Sequence, residues 1–96
     1  MNEPHWHPGA ISDAEVARDW YAARSAIAAR GFLLALDAAV NAITEAPERW
    51  PEREHGCRVY LFPSSYPYAL VYRTKPVVEI VAVAHHRRLP GYWRVR

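Results

Sequence analysis

The chain has 96 residues, 51% of them hydrophobic, and a formal charge of +2, which suits one globular domain with room for a single modest core. Cys57 is the only cysteine, so an internal disulfide and a cysteine zinc site are excluded; its expected role is a small strand hydrophobe in a reducing cytoplasm. Charge divides along the sequence: residues 1–55 carry five arginines against nine acids, whereas 56–96 carry six arginines and Lys75 against Glu79 alone, about −4 followed by +6, a field that attracts polyanions and acidic partners.

The N-terminus has no basic patch followed by an apolar run, and no segment is expected to approach a bilayer-spanning length, so a soluble cytoplasmic protein without membrane contact is predicted. Residues 4–8, flanked by Pro4 and Pro8, suit a short edge strand. Ser12, Asp13, Ala14 and Glu15 read as a capping box, with Ile11 and Val16 at the staple positions. Val16, Trp20, Ala23 and Ile27 then recur at helical spacing and are expected to face the core, leaving Arg18, Asp19 and Arg24 solvated. Gly31 after Arg30 is the expected end of this helix.

A second helix is predicted from Phe32 through Leu33, Leu36, Val40 and Ile43 to Ala46, where Pro47 removes an amide donor. Together the two make an antiparallel hairpin that needs another layer to cover it. Residues 47–56 are polar, with two prolines, and read as a surface connection. Residues 57–62 alternate with the two-residue period of a strand, 63–67 form a turn, and 68–73 alternate again. Val77 to His85 is apolar except for Glu79, so this strand should be central or covered on both faces, with Glu79 on the His85 face by parity. Such a strand anchors the segment that comes after it: His85-His86-Arg87-Arg88-Leu89-Pro90-Gly91-Tyr92-Trp93-Arg94-Val95-Arg96 should be pinned rather than loose.

Specific words accompany these elements in order: His7-Pro8, Trp20-Tyr21, Gly31-Phe32, Ile43 with Ala46-Pro47, Trp50-Pro51, Arg58-Val59-Tyr60-Leu61, Tyr66-Pro67-Tyr68 with Val71-Tyr72-Arg73, and Val81-Ala82-Val83-Ala84-His85 with Arg88, Pro90, Gly91-Tyr92-Trp93 and Arg96. The set covers nearly the whole chain and resembles the RelE/ParE superfamily of toxins from type II toxin-antitoxin systems. Two departures are a longer turn before Tyr66 and Tyr66 itself, where the family often has Phe. The resemblance implies an α+β fold in which residues 1–96 form one toxin domain, an N-terminal two-helix hairpin packed on a twisted, mainly antiparallel three- to four-stranded sheet. It also implies a cognate antitoxin as partner, usually encoded next to the toxin; no cofactor or metal is expected. RelE-like members cut mRNA in the ribosomal A site and ParE-like members poison DNA gyrase on a nearly identical scaffold, so the fold does not choose the target.

RNA cleavage through the 2′-hydroxyl requires a base, an acid and cations around the phosphate. His85 is the acid-base candidate on the sheet; Arg58, Arg73 and Arg88 would surround a phosphate if their strands lay together, and Tyr92 could stack on a base or donate a proton. The plain alternative for His85 is a strand-end histidine satisfied by the backbone. Arginine stays protonated and cannot serve as base, and the several lysines common in RelE-like nucleases are reduced here to Lys75. That favours gyrase over mRNA, with Arg87, Arg88, Tyr92, Trp93, Arg94 and Arg96 as the target- or partner-binding set, against a merely solvated charged surface. A nontoxic descendant that only binds antitoxin is a third reading. His5 and His7 could reach a metal only if His55 or His85 converged on them, and solvated histidines are the default. Trp20 and Tyr21 are expected to pack, Trp50 to lid the second helix, and Trp93 to plug the core edge or anchor a partner. The antitoxin is expected in a groove between helices and sheet.

Overall fold

A computed structural model describes residues 3–63, 65–88 and 90–96. Met1, Asn2, Ser64 and Leu89, the last two within the predicted turn and the terminal basic stretch, lie outside the described residues. Strand β1 (His5–Trp6) leads into helix α1 (Pro8–Ala22) and helix α2 (Ala26–Glu45), followed by β2 (Arg58–Leu61), β3 (Tyr68–Arg73) and β4 (Glu79–His85). The sheet order is β1-β4-β3-β2, with β1 parallel to β4 and the other pairs antiparallel. An α+β fold of two helices on a four-stranded mixed sheet is therefore present, and β4 is an inner strand as its composition predicted.

Helix α1 starts four residues before the predicted Ser12. Proline at the first helical position has no amide to leave unpaired and a φ already suited to a helix. His7, extended at φ −63° and ψ 140°, caps it through Nδ1, which accepts the Gly9 N–H at 2.9 Å. The capping box does not form, because Ser12 lies inside the first turns. His7→Ala should lower stability by about 1 kcal/mol, read as a shifted urea midpoint, and His7→Asn should recover most of it.

The break between helices also differs from the prediction. The Ser25 Oγ accepts the Ala28 N–H at 3.1 Å and starts α2, so the first helix ends at Ala22 and Gly31 is interior to the second. At Gly31 the absent side chain admits the Tyr66 ring, whose hydroxyl donates to the Ala28 carbonyl at 2.7 Å. Glycine here serves close approach rather than helix termination.

The inner face of α1 is the largest correction. It buries Ala10, Asp13 and Ala17, whereas Val16 is 67% exposed, Trp20 52% and, on α2, Ile27 86%. Small residues let the helix axis approach the sheet closely, and the bulkier apolar residues are left outside; Ile11 and Val16 form no buried staple. Helix α2 is closer to expectation, with Phe32, Leu36, Ala39 and Ile43 buried, although Leu33 is on the outside. Contrary to the expectation, α2 with 20 residues and a mean hydropathy of 1.6 is long and apolar enough to cross a membrane by length and composition. Its buried stripe packs with Phe62, Tyr68, Leu70, Tyr72 and Ile80, which is the arrangement of a core helix.

The sheet has a second covered face. Cys57, Val71, Val81, Ala82 and Ala84 pack there under Tyr92 and Trp93, which belong to a single 3-10 turn, Tyr92–Val95, entered through Gly91 at φ 76°. The two faces trade parity at a β-bulge: Val71 pairs with Ala82 and Tyr72 with Ile80, which leaves Val81 without a partner on β3. Val81 and Ala82 therefore face the same way, and the strict period of two fails. Glu79 and His85 consequently lie on opposite faces, not the same one.

Candidate functional site

The centre of the terminal region is Asp13, a residue the sequence placed in a capping box. Asp13 is buried, its side chain 4% exposed, and its carboxylate accepts from four different residues. Oδ2 takes the Val83 N–H at 3.1 Å, the Tyr92 hydroxyl at 2.9 Å and Arg96 Nη1 at 2.8 Å; Oδ1 takes Arg88 Nη1 at 3.1 Å and Arg96 Nη2 at 3.2 Å. Arg96 Nη1 also donates to the Val81 carbonyl at 3.0 Å. Strand β1 covers β4 only at Glu79 and Ile80. Beyond it Asp13 and Arg96 supply the acceptor and donor that a longer neighbouring strand would have given, so this edge is closed by side chains. The predicted pinning of the terminus is present, and this clamp is its cause.

The clamp also fixes chemistry. Burial first, and then the charge of Asp13 and the hydrogen bond to it, push the Tyr92 phenol well above its ordinary value. Tyr92 thus holds its proton for Asp13. The Arg88 guanidinium lies 3.7 Å from the Tyr92 ring centroid and Arg96 5.1 Å from it. The hydrogen bond to Asp13 raises Arg96 above the usual guanidinium range.

His85 ends β4, and its Nδ1 accepts the Arg87 N–H at 3.0 Å while its ring meets Tyr68 edge-on at 5.1 Å. An Nδ1 that accepts assigns the proton of the neutral ring to Nε2. Beside His85 a cleft of about 390 Å³ opens between α1 and the end of the sheet, lined by Val16, Trp20, Tyr68, Val83, His85 and Arg88 among others. Arg88 is therefore shared: one amine on buried Asp13, the rest of a half-exposed side chain at the cleft.

Arg58 and Arg73 are elsewhere. Arg58 pairs with Tyr72 and His85 with Tyr68, four residues apart on β3, or roughly 13 Å along the strand. Arg58 Nη1 donates to the Trp50 carbonyl at 2.6 Å; Arg73 donates through Nε to Glu79 Oε1 at 2.7 Å and through Nη2 to the Arg96 backbone carbonyl at 3.3 Å. Alternation along β2 and β3 also puts these two arginines on opposite faces of the sheet. Adjacent strands were not enough to make one phosphate site of Arg58, Arg73 and Arg88.

Of the terminal set, Arg94 bonds Glu54 at 2.6 Å on the surface, and Trp93 packs edge-on against Tyr92 at 5.5 Å, its buried indole N–H without a partner among the described residues. Arg87 is exposed, with no side-chain bond among the described residues. Much of the cationic excess of the second half is thus answered by acids of the first: Asp13 by Arg88 and Arg96, Glu54 by Arg94, Glu52 by Arg58. Asp13 itself was legible only as the one acid in the small-residue line Ala10, Asp13, Ala17.

The family model described as ParE toxin of type II toxin-antitoxin system, parDE, matches residues 5–90. No curated protein matches the chain.

Proposed function

Since the chain belongs to the ParE toxin family of type II toxin-antitoxin systems, within the RelE/ParE superfamily, we propose that it arrests growth by ParE-like inhibition of DNA gyrase in the cytoplasm, restrained by a cognate antitoxin. The observation that carries this reading is the dispersal of the groups a nuclease would need. Tyr92 is committed to Asp13, His85 Nδ1 to the backbone, and Arg58 and Arg73 to acceptors at the far end of the sheet. The surface left for a macromolecular target is a fixed one carrying exposed Arg87, half-buried Trp93 and Arg94, suited to binding rather than proton transfer.

Purified toxin should inhibit supercoiling by gyrase and raise the level of cleaved complex. Arg87→Glu should weaken that inhibition about tenfold with an unchanged melting temperature, because Arg87 is exposed and its side chain bonds none of the described residues. Unaltered gyrase activity at saturating toxin would end this reading. A second reading, a ribosome-associated mRNA endoribonuclease, is favoured by His85 and Arg88 lining one cleft. It requires RNA cleavage by the wild-type protein that His85→Ala abolishes.

A further inference from the structure

A second groove lies on the flank of the helical hairpin, beside β1. It has a volume of about 340 Å³ and is lined by Trp6, Ile11, Ala14, Glu15, Arg18 and Leu33, none of which reaches the cleft at His85. Ile11 is 45% exposed and Leu33 41%, so apolar surface is left open to water there. The charges beside it come in a definite order. Three residues join the helices, so α1 and α2 run antiparallel. Followed along α1, the groove meets Glu15 and then Arg18; followed in the same direction along α2, it meets Asp37, Leu33 and Arg30, each about one turn from the next. Both helices therefore present acid at one end of the groove and base at the other. Glu15, Arg30 and Asp37 are exposed, with no side-chain bond among the described residues. Arg18 gives only Nε and Nη2 to Asp19, which leaves its Nη1 free.

That order selects the occupant. A partner of one sign suits one end of the groove and is repelled at the other. A second copy of this chain, turned by a two-fold axis that crosses the groove at right angles, lays basic end on acidic end twice over. A two-fold axis along the groove would instead set like charge on like. We propose that the groove is an isologous self-association surface, on which α1 and α2 of each copy lie antiparallel to the same helices of the other. Glu15 then meets Arg18 of the second copy and Asp37 meets its Arg30. Leu33, midway between the charges on α2, packs on its own counterpart at the axis, and Ile11 and Trp6 close both ends. The inference stands on the groove alone and is independent of the cellular target.

The test is sedimentation of the 96-residue chain over a concentration series. Wild type should be monomeric at about 1 μM and increasingly dimeric toward about 200 μM, the range of a small interface. Arg18→Glu and Glu15→Arg should each weaken the dimer about tenfold, because each sets like charges opposite one another at two symmetric places. The double variant, Glu15→Arg with Arg18→Glu, should return to within about threefold of wild type. Both positions are exposed, and unchanged melting temperatures across the three variants separate association from folding. Leu33→Asp should abolish the dimer, whereas Trp20→Ala, at the other cleft, should leave it intact. A monomer at about 200 μM overturns the proposal, and so does a dimer that survives Leu33→Asp or dissolves with Trp20→Ala. Single-variant losses that the double variant does not recover overturn the two-fold register, and the proposal with it. A groove that takes up antitoxin while the isolated chain stays monomeric belongs to that partner and refutes self-association.

Discussion

Asp13→Asn is expected to cost about 3 kcal/mol of folding stability, close to the loss seen when one member of a buried ion pair is removed. The substitution is isosteric and leaves no cavity, so the effect isolates charge and acceptor capacity. It leaves Arg96 largely buried beside a neutral amide, and the amide nitrogen turns a donor toward groups that are themselves donors. Arg88, half exposed, can return to water, which limits the loss. A chain of this length has a total stability of roughly 5–10 kcal/mol, so the variant should melt at least about 12 °C lower. Tyr92→Phe, which deletes one bond to the same carboxylate, should cost about half as much. Equal melting temperatures for Asp13→Asn and the wild type would show that the clamp contributes nothing.

Gly9→Ala should destabilise by about 2 kcal/mol, although alanine in a helix is ordinarily worth up to about 1 kcal/mol more than glycine. The added methyl meets the Arg96 guanidinium. An arginine tip normally moves aside at little cost, but this one is tied to both oxygens of Asp13 and to the Val81 carbonyl, so moving it breaks those bonds. The sign should therefore reverse in an Arg96→Ala background, where Gly9→Ala becomes neutral or stabilising. Denaturant titration of the four proteins in that cycle measures the coupling directly. Additive effects would separate Gly9 from the clamp.

The sheet was readable because each strand announces itself locally. Val59 and Tyr60 on β2, Leu70, Val71 and Tyr72 on β3, and the unbroken apolar run of β4 follow from alternation and β-branching alone. Helix α2 was readable from Phe32, Leu36 and Ile43. Helix α1 misled because it carries two stripes: one of alanines with Asp13, and one of Val16 and Trp20. Hydrophobicity favours the larger side chains as the inner set, yet the close seat of α1 on β4 admits only the smaller ones. Ser25 was passed over in favour of Gly31 because a serine interrupts a helix only if the chain actually turns there. The parity of Glu79 failed at a bulge that no residue on β4 signals. The clamp was beyond local reading, since the partners of Asp13 lie 70, 75, 79 and 83 positions away and an isolated acid among alanines names none of them.

That separation sets an order for folding during synthesis. While the ribosome is still making the strands, α1 has left the tunnel with a carboxylate destined for burial and no cation to meet it, so it cannot settle on β4 without the cost of desolvating a lone charge. Arg88 and Arg96, which follow the last strand, bring the guanidinium groups that make docking favourable. Helix α1 thus stays undocked until the segment after β4 has been made, with its outward face available to be captured before the native structure has closed.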